Sequence, residues 1–170
     1  MKKIILFCLI GSSVLAAAYI THWEPKDYAI KFSTRMAKGS IAGLKGTIDF
    51  DPNRLAASKF DVSVDLNTLD MGLGLKTKHA KAENFFHAEK YPTLYFKSDE
   101  IVRQGDQYSC SGILTIKGIS KPVIIPFTFN QEGEKATFNG KFTINRKDYN
   151  LNRKGVGEIV EIELNIPVVK

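Results

Sequence analysis

Apolar side chains recur at every second position along most of this chain, and no other feature constrains the fold as tightly. Tyr28, Ile30 and Phe32 alternate with Ala29, Lys31 and Ser33, and Phe60, Val62, Val64 and Leu66 alternate with Asp61, Ser63 and Asp65. Leu94 and Phe96 follow, then Tyr108, Cys110, Gly112, Leu114 and Ile116. Three more lines are Val123 to Phe129, Ala136 to Ile144 and Val160 to Ile166. Successive side chains of a strand point to opposite faces, so each segment has one apolar and one mostly polar face. Gly39 to Asp51 reads as a further, less regular strand in which Gly43 and Gly46 mark a bend or bulge.

Turn chemistry separates the runs. Asp51-Pro52-Asn53, Gln104-Gly105-Asp106, Lys117-Gly118-Ile119-Ser120 and Glu132-Gly133-Glu134 carry the Gly, Pro and Asn residues that reverse a chain. About eight antiparallel strands with short hairpins and one-sided polarity mean a sandwich or a closed barrel, and closure removes unpaired edges. The expectation is an all-β, eight-stranded, antiparallel barrel. Leu66 to Tyr91 interrupts the period. Lys76 to Lys90 reads as one or two short helices with Ala80, Ala82, Phe85 and Phe86 on one face, and Pro92 ends it by holding Tyr91 extended. A long connection with its own structure is either functional or a lid over a barrel mouth, which places it near any opening to the interior.

The N-terminus has the pattern of a secretory signal: Lys2 and Lys3, an apolar stretch from Ile4 to Leu15, then Ala16-Ala17-Ala18. Residues 1–18 are therefore set apart as a signal peptide, and residues 19–170 form one domain. The rival reading is an uncleaved membrane anchor over residues 4–20, at the short limit for a spanning helix. Cleavage lowers the formal net charge from +6 to +4, because Lys2 and Lys3 are the only charged residues removed. The remaining basic residues are interspersed with Asp and Glu, which argues against a nucleic-acid partner and leaves at most a transient contact with anionic membrane. Only Cys110 survives maturation, so the fold rests on its core and not on an internal disulfide.

The inward lines contain no convergent set of charged or amide groups, which a sugar or nucleotide needs in place of its lost water. A hydrocarbon needs none. An eight-stranded barrel is either filled by its own side chains or encloses one small ligand, and composition leaves those two outcomes open. Gly112 and Gly140 have inward parity and leave room, while the inward phenylalanines consume it. Catalysis has little to stand on: there is no Gly-x-Ser-x-Gly elbow, and Cys110 lies within a strand. His79, His87 and Glu83 lack the ordered third ligand of a metal site. The Asn145-Arg146-Lys147-Asp148 cluster reads as a turn with a charge pair before it reads as a phosphate site.

Several segments, in order, resemble the YceI-like family of exported polyisoprenoid-binding proteins. They are Tyr28-Ala29-Ile30-Lys31-Phe32 behind Trp23, Gly46 to Asp51, Phe60 to Asp65 with Asn67-Thr68-Leu69-Asp70, and Lys78-His79. Asn84-Phe85-Phe86, Lys90-Tyr91-Pro92-Thr93, Gly112 to Val123 and Ile144 to Tyr149 complete the set. The resemblance implies a lipocalin-like barrel with a helical insertion after the third strand. It also implies an elongated tunnel for an isoprenoid chain or quinone tail, and the bacterial periplasm. Lys76-Thr77 stands where the family has Arg-Asp, and Asp27-Tyr28 where it has His-Ser; both departures are expected at the tunnel mouth. Asn150 replaces a glycine and still tolerates a left-handed turn.

The resulting expectation is a non-catalytic binder of a long apolar lipid, with no cofactor or metal. Its wall is assigned to Phe32, Phe96, Phe127, Phe129, Phe138 and Phe142, with Tyr95 and Phe85 near the mouth. His79 is assigned a hydrogen bond to a ligand headgroup, against the plainer reading of a helix-surface histidine. The alternative is a filled barrel serving as an interaction or stress-protection module. Outward Ile124 and Ile159 are candidates for a homodimer contact.

Overall fold

The computed structural model describes residues 19–153 and 155–170. The expected signal peptide or anchor therefore lies outside the described residues. The described residues form ten strands: β1 (Glu24–Pro25), β2 (Ala29–Ser33), β3 (Lys38–Ile41), β4 (Lys45–Asp49), β5 (Lys59–Asp65), β6 (Thr93–Gln104), β7 (Gln107–Ile116), β8 (Ile119–Glu132), β9 (Lys135–Asn145) and β10 (Ile159–Val169). One α-helix, α1 (Gly74–Lys81), follows β5. The ladder order is β3-β2-β10-β9-β8-β7-β6-β5-β4, antiparallel throughout, with β1 added to β10.

Ten strands replace the expected eight for two local reasons. The irregular stretch expected as one strand over residues 39–51 is divided into β3 and β4 at Ala42–Leu44, where Gly43 takes φ 74°. A side chain at Gly43 would also run into Asp65 Cβ at 2.7 Å. The second addition is the two-residue β1. The helical insertion consequently follows the fifth strand in place of the third.

The division at Gly43 also curls the sheet. β3 and β4 are the two ends of the ladder path, yet only residues 42–44 separate them in the chain. The N-terminal segment closes the opposite part of this seam. Trp23 donates its N–H to the Ile48 carbonyl (2.8 Å), Phe50 donates to the Thr21 carbonyl (3.0 Å), and β1 continues onto β10 through Glu24↔Val169. Residues 21–25 thus bridge β4 to β10.

The hairpins follow the twist-compatible turn types. Gly105 and Gly133 each open a two-residue turn at φ 62°, and Lys117-Gly118 has both residues at positive φ (52° and 75°). The insertion is less helical than its apolar spacing suggests. α1 stops at Lys81, and His87 at φ 52° keeps the following segment in turns. The helix and those turns still place Ala80 and Ala88 in the core, in one cluster with Phe85 and Phe86.

Candidate functional site

The interior of the curled sheet divides in two. At the end formed by Trp23, Phe50 and the β8–β9 hairpin, aromatic rings fill the space. Phe50 is fully buried and lies 4.8 Å from Phe129, 5.1 Å from Tyr108 and 5.4 Å from Phe138, ring centre to ring centre. Trp23 packs edge-on against Phe129 at 5.3 Å, and its indole N–H donates to the Phe50 carbonyl at 2.9 Å. This end is a plug.

Beyond the plug the lumen is hollow. A cavity of about 250 Å³ runs from Ile48, Phe60, Phe127 and Phe138 at its floor to Thr34, Ala37, Met71 and Val156 at the far end. Phe60 and Val64, both on its wall and both in β5, are separated by roughly 13 Å of strand at ~3.3 Å per residue, and Leu66 extends the wall beyond the strand's end. The wall between them is largely aliphatic, including Ile30, Val62, Val64, Leu114, Ile162 and Leu164, and it presents only apolar surface. Val62, Val64, Phe96, Phe142 and Leu164 have inward parity yet stay only partly buried. The missing contact is the lumen itself. The same measure of volume needs only ~10–15 Å³ to hold a water, but water also needs polar partners, and this wall supplies none.

Neither inward glycine is idle space: a Cβ at Gly112 would meet the Lys97 carbonyl oxygen at 2.4 Å and the Phe96 ring at 2.8 Å, and at Gly140, on the cavity wall, it would come within 3.0 Å of the Pro126 carbonyl oxygen. Of the residues singled out in the sequence, Phe32, Phe96, Phe127, Phe138, Phe142 and Phe85 border the cavity. Tyr95 borders it while leaving 55% of its surface in solvent. Phe129 lies off the cavity wall, in the plug beside Trp23 and Phe50. His79 is exposed on α1, away from the cavity. Asp70 turns its carboxylate to the Gly72 N–H (2.8 Å) and the Thr77 hydroxyl, not to His79. Ile30, Val62, Val64, Leu114, Ile162 and Leu164 of this wall lie on the inward lines of the sequence, whereas Ile41, Leu44, Leu69, Leu151 and Val156 belong to no such line.

Two polar groups near the cavity have structural partners. Arg146 is buried and donates to the carbonyls of Leu151, Arg153, Val156 and Gly157, so its guanidinium is spent on holding that backbone instead of meeting phosphate. Burial, reinforced by the charge of Asp99, pushes the Cys110 thiol up to about 12, which keeps it protonated and poorly nucleophilic. Of the two family departures, only Lys76-Thr77 lies at the open end. Asp27 and Tyr28 link β1 to β2 away from the open end, where the Tyr28 hydroxyl accepts from the Leu44 N–H. Asn150 takes the left-handed conformation, φ 53°, that its glycine equivalent suggests.

The model of the YceI-like domain matches residues 22–168. A UPF0312 protein of Vibrio cholerae serotype O1 is 34% identical over 167 residues, covering 91% of this chain and 88% of the relative. A UPF0312 protein of Pectobacterium atrosepticum is 29% identical, over 93% and 88%. Among solved structures, Burkholderia cenocepacia BcnA superposes with a TM-score of 0.78 at 24% identity, covering 82% of this chain and 95% of that one. A polyisoprenoid binding domain from Saccharophagus degradans, implicated in plant cell wall breakdown, superposes at 0.67 with 12% identity, over 87% and 97%. These two share the fold with this chain.

Proposed function

The chain belongs to the YceI-like family, and from that premise we propose that it binds one long apolar molecule, a polyisoprenoid chain or the isoprenoid tail of a quinone, inside its hollow half. The observation that carries this reading is the elongated cavity with an entirely apolar wall. Each methylene moved from water into it contributes about 0.8 kcal/mol, so a tail can be held without one directional contact. The polyisoprenoid binding described for the S. degradans neighbour is of the same kind.

The reading includes its consequences. The protein carries or stores its ligand and performs no chemistry on it, since the cavity wall has no polar pair to polarise a bond. It needs neither metal nor cofactor. It works in the bacterial periplasm, to which a cleaved residue 1–18 segment delivers it; among the described residues no helix is long and apolar enough to cross a membrane.

Native mass spectrometry of the protein purified from a bacterial host tests the proposal. A discrete apolar adduct is expected, removable by organic extraction and restored at one per chain by adding a polyprenol. Spectra that stay ligand-free both before and after reloading would sink it and would favour an interaction module with no cargo.

A further inference from the structure

The open end of the cavity carries a surface that nothing inside the barrel explains. Met36, Leu73 and Leu75 expose 67%, 59% and 67% of their surfaces, three of the most exposed large apolar side chains among the described residues. They come from two segments that the fold brings together. Met36 sits in the β2–β3 turn. Leu73 and Leu75 sit at the start of α1, after a segment that pairs antiparallel with β3 through two 2.9 Å bonds between Ser40 and Asp70. Continuing that antiparallel direction carries residues 71–75 toward the turn, and Lys38, Met71 and Gly72 border one shallow groove. Thr34, Ala37 and Met71, on the same two segments, line the cavity itself. The apolar patch is therefore the rim of the tunnel.

Cations outnumber acids around it. Arg35 and Lys38 flank Met36, and the charged residues of α1 are Lys76, Lys78 and Lys81 without an acid. The acids that border the groove are Asp70, whose carboxylate is occupied by Gly72 and Thr77, and Glu161 and Glu163 of β10, of which Glu161 is paired with Lys141 at 2.9 Å. Exposed apolar side chains ringed by cations are the composition of a surface that seats in the headgroup region of an anionic bilayer, apolar tips below and cations at the phosphates. The position adds a reason. A tail that leaves an apolar cavity through this end meets water unless the rim is already pressed into lipid.

We propose that the rim formed by Met36, Leu73 and Leu75, with Arg35, Lys38, Lys76 and Lys78, docks the protein on an anionic membrane surface so that ligand passes between bilayer and cavity without crossing water. The inference rests on the lipid-binding reading only for what is passed; the docking itself is measured without ligand.

Flotation of the mature chain with vesicles of phosphatidylglycerol and phosphatidylethanolamine tests it. Binding is expected, with weakening in high salt and little attachment to pure phosphatidylcholine. Met36→Ser/Leu73→Ser/Leu75→Ser should reduce partitioning at least tenfold, and Lys76→Glu/Lys78→Glu by a similar factor at low salt. Ile124→Ser, which removes an equally exposed side chain from the outer face of β8, should change nothing. Polyprenol loading from detergent should be unchanged in all three, which separates loss of docking from loss of the cavity. Wild-type protein that ignores anionic vesicles, or rim variants that bind as well as wild type, would overturn the docking surface and leave the cavity reading intact.

Discussion

At the Trp23 end of the sheet the inward positions are aromatic and their rings meet at centre distances such as 4.8 Å for Phe50–Phe129 and 5.7 Å for Phe60–Phe127. At the α1 end the facing positions are mostly Ile, Leu and Val, and they stop short of one another across an open lumen. The strands are continuous through both halves: β5 gives Phe60 to the plug and Val64 to the hollow part, and β10 gives Val168 to one and Ile162 to the other. Side-chain reach decides the difference. A ring extends far enough from the wall to touch rings from opposite strands, whereas a branched aliphatic chain covers its own strand and little more. One end of the sheet makes the core that keeps the protein folded, and the other keeps the space.

If the halves differ in this way, truncation should hurt them unequally. Phe50→Ala removes the ring at the centre of the plug and should cost about 3–5 kcal/mol, while Leu164→Ala on the cavity wall should cost no more than about 2 kcal/mol because a void is already present there. Urea unfolding of the two variants side by side measures the contrast. Equal losses would mean that the two halves are packed alike.

Enlargement should invert the order. Val62→Phe enters open space and should cost well under the ~1–3 kcal/mol of overpacking, while Ala136→Leu at the buried plug should incur that cost in full. The same Val62→Phe chain should take up less polyprenol by native mass spectrometry, and Ala136→Leu, where it folds, should load normally.

The smallest effect is silent at neutral pH. Cys110 and Tyr149 both titrate near 12 in the folded chain, mainly because burial disfavours their charged forms. The unfolded chain ionises these groups from about pH 9 and pH 10 upward, while the folded chain keeps the protons. Stability from both is therefore complete below that range and falls as pH rises toward 12. Cys110→Ala should flatten the early part of the decline in a pH series of unfolding midpoints. Cys110 in the native protein should also stay unlabelled by a thiol reagent near pH 8.

Much of the wall was visible in one dimension. Alternation alone assigned Ile30, Val62, Val64, Leu114, Ile162 and Leu164 to the inner face, because a strand offers only two faces and the other one was polar. Turn glycines located the hairpins for the same reason, since few residues accept positive φ. Two kinds of information were out of reach. Whether an inward phenylalanine closes the lumen or borders it depends on what stands opposite: Phe129 meets Trp23 and Phe50, whereas Phe142 meets space. Trp23 and Phe50 are far apart in sequence and come together only because residues 21–25 cross from β4 to β10.

The amino-acid order by itself determined an all-β chain, its inner and outer faces, the interruption over the opening and the absence of polar recognition groups inside. These follow from backbone geometry and water's preference for polar surface, which act on neighbours in the chain. Only the tertiary structure decided that the seam closes through the N-terminal segment, that aromatics gather at one end, and that Met36 stands beside the start of α1 at the other. Those outcomes depend on which strands face each other around the curl, a relation between residues many positions apart that no local pattern encodes.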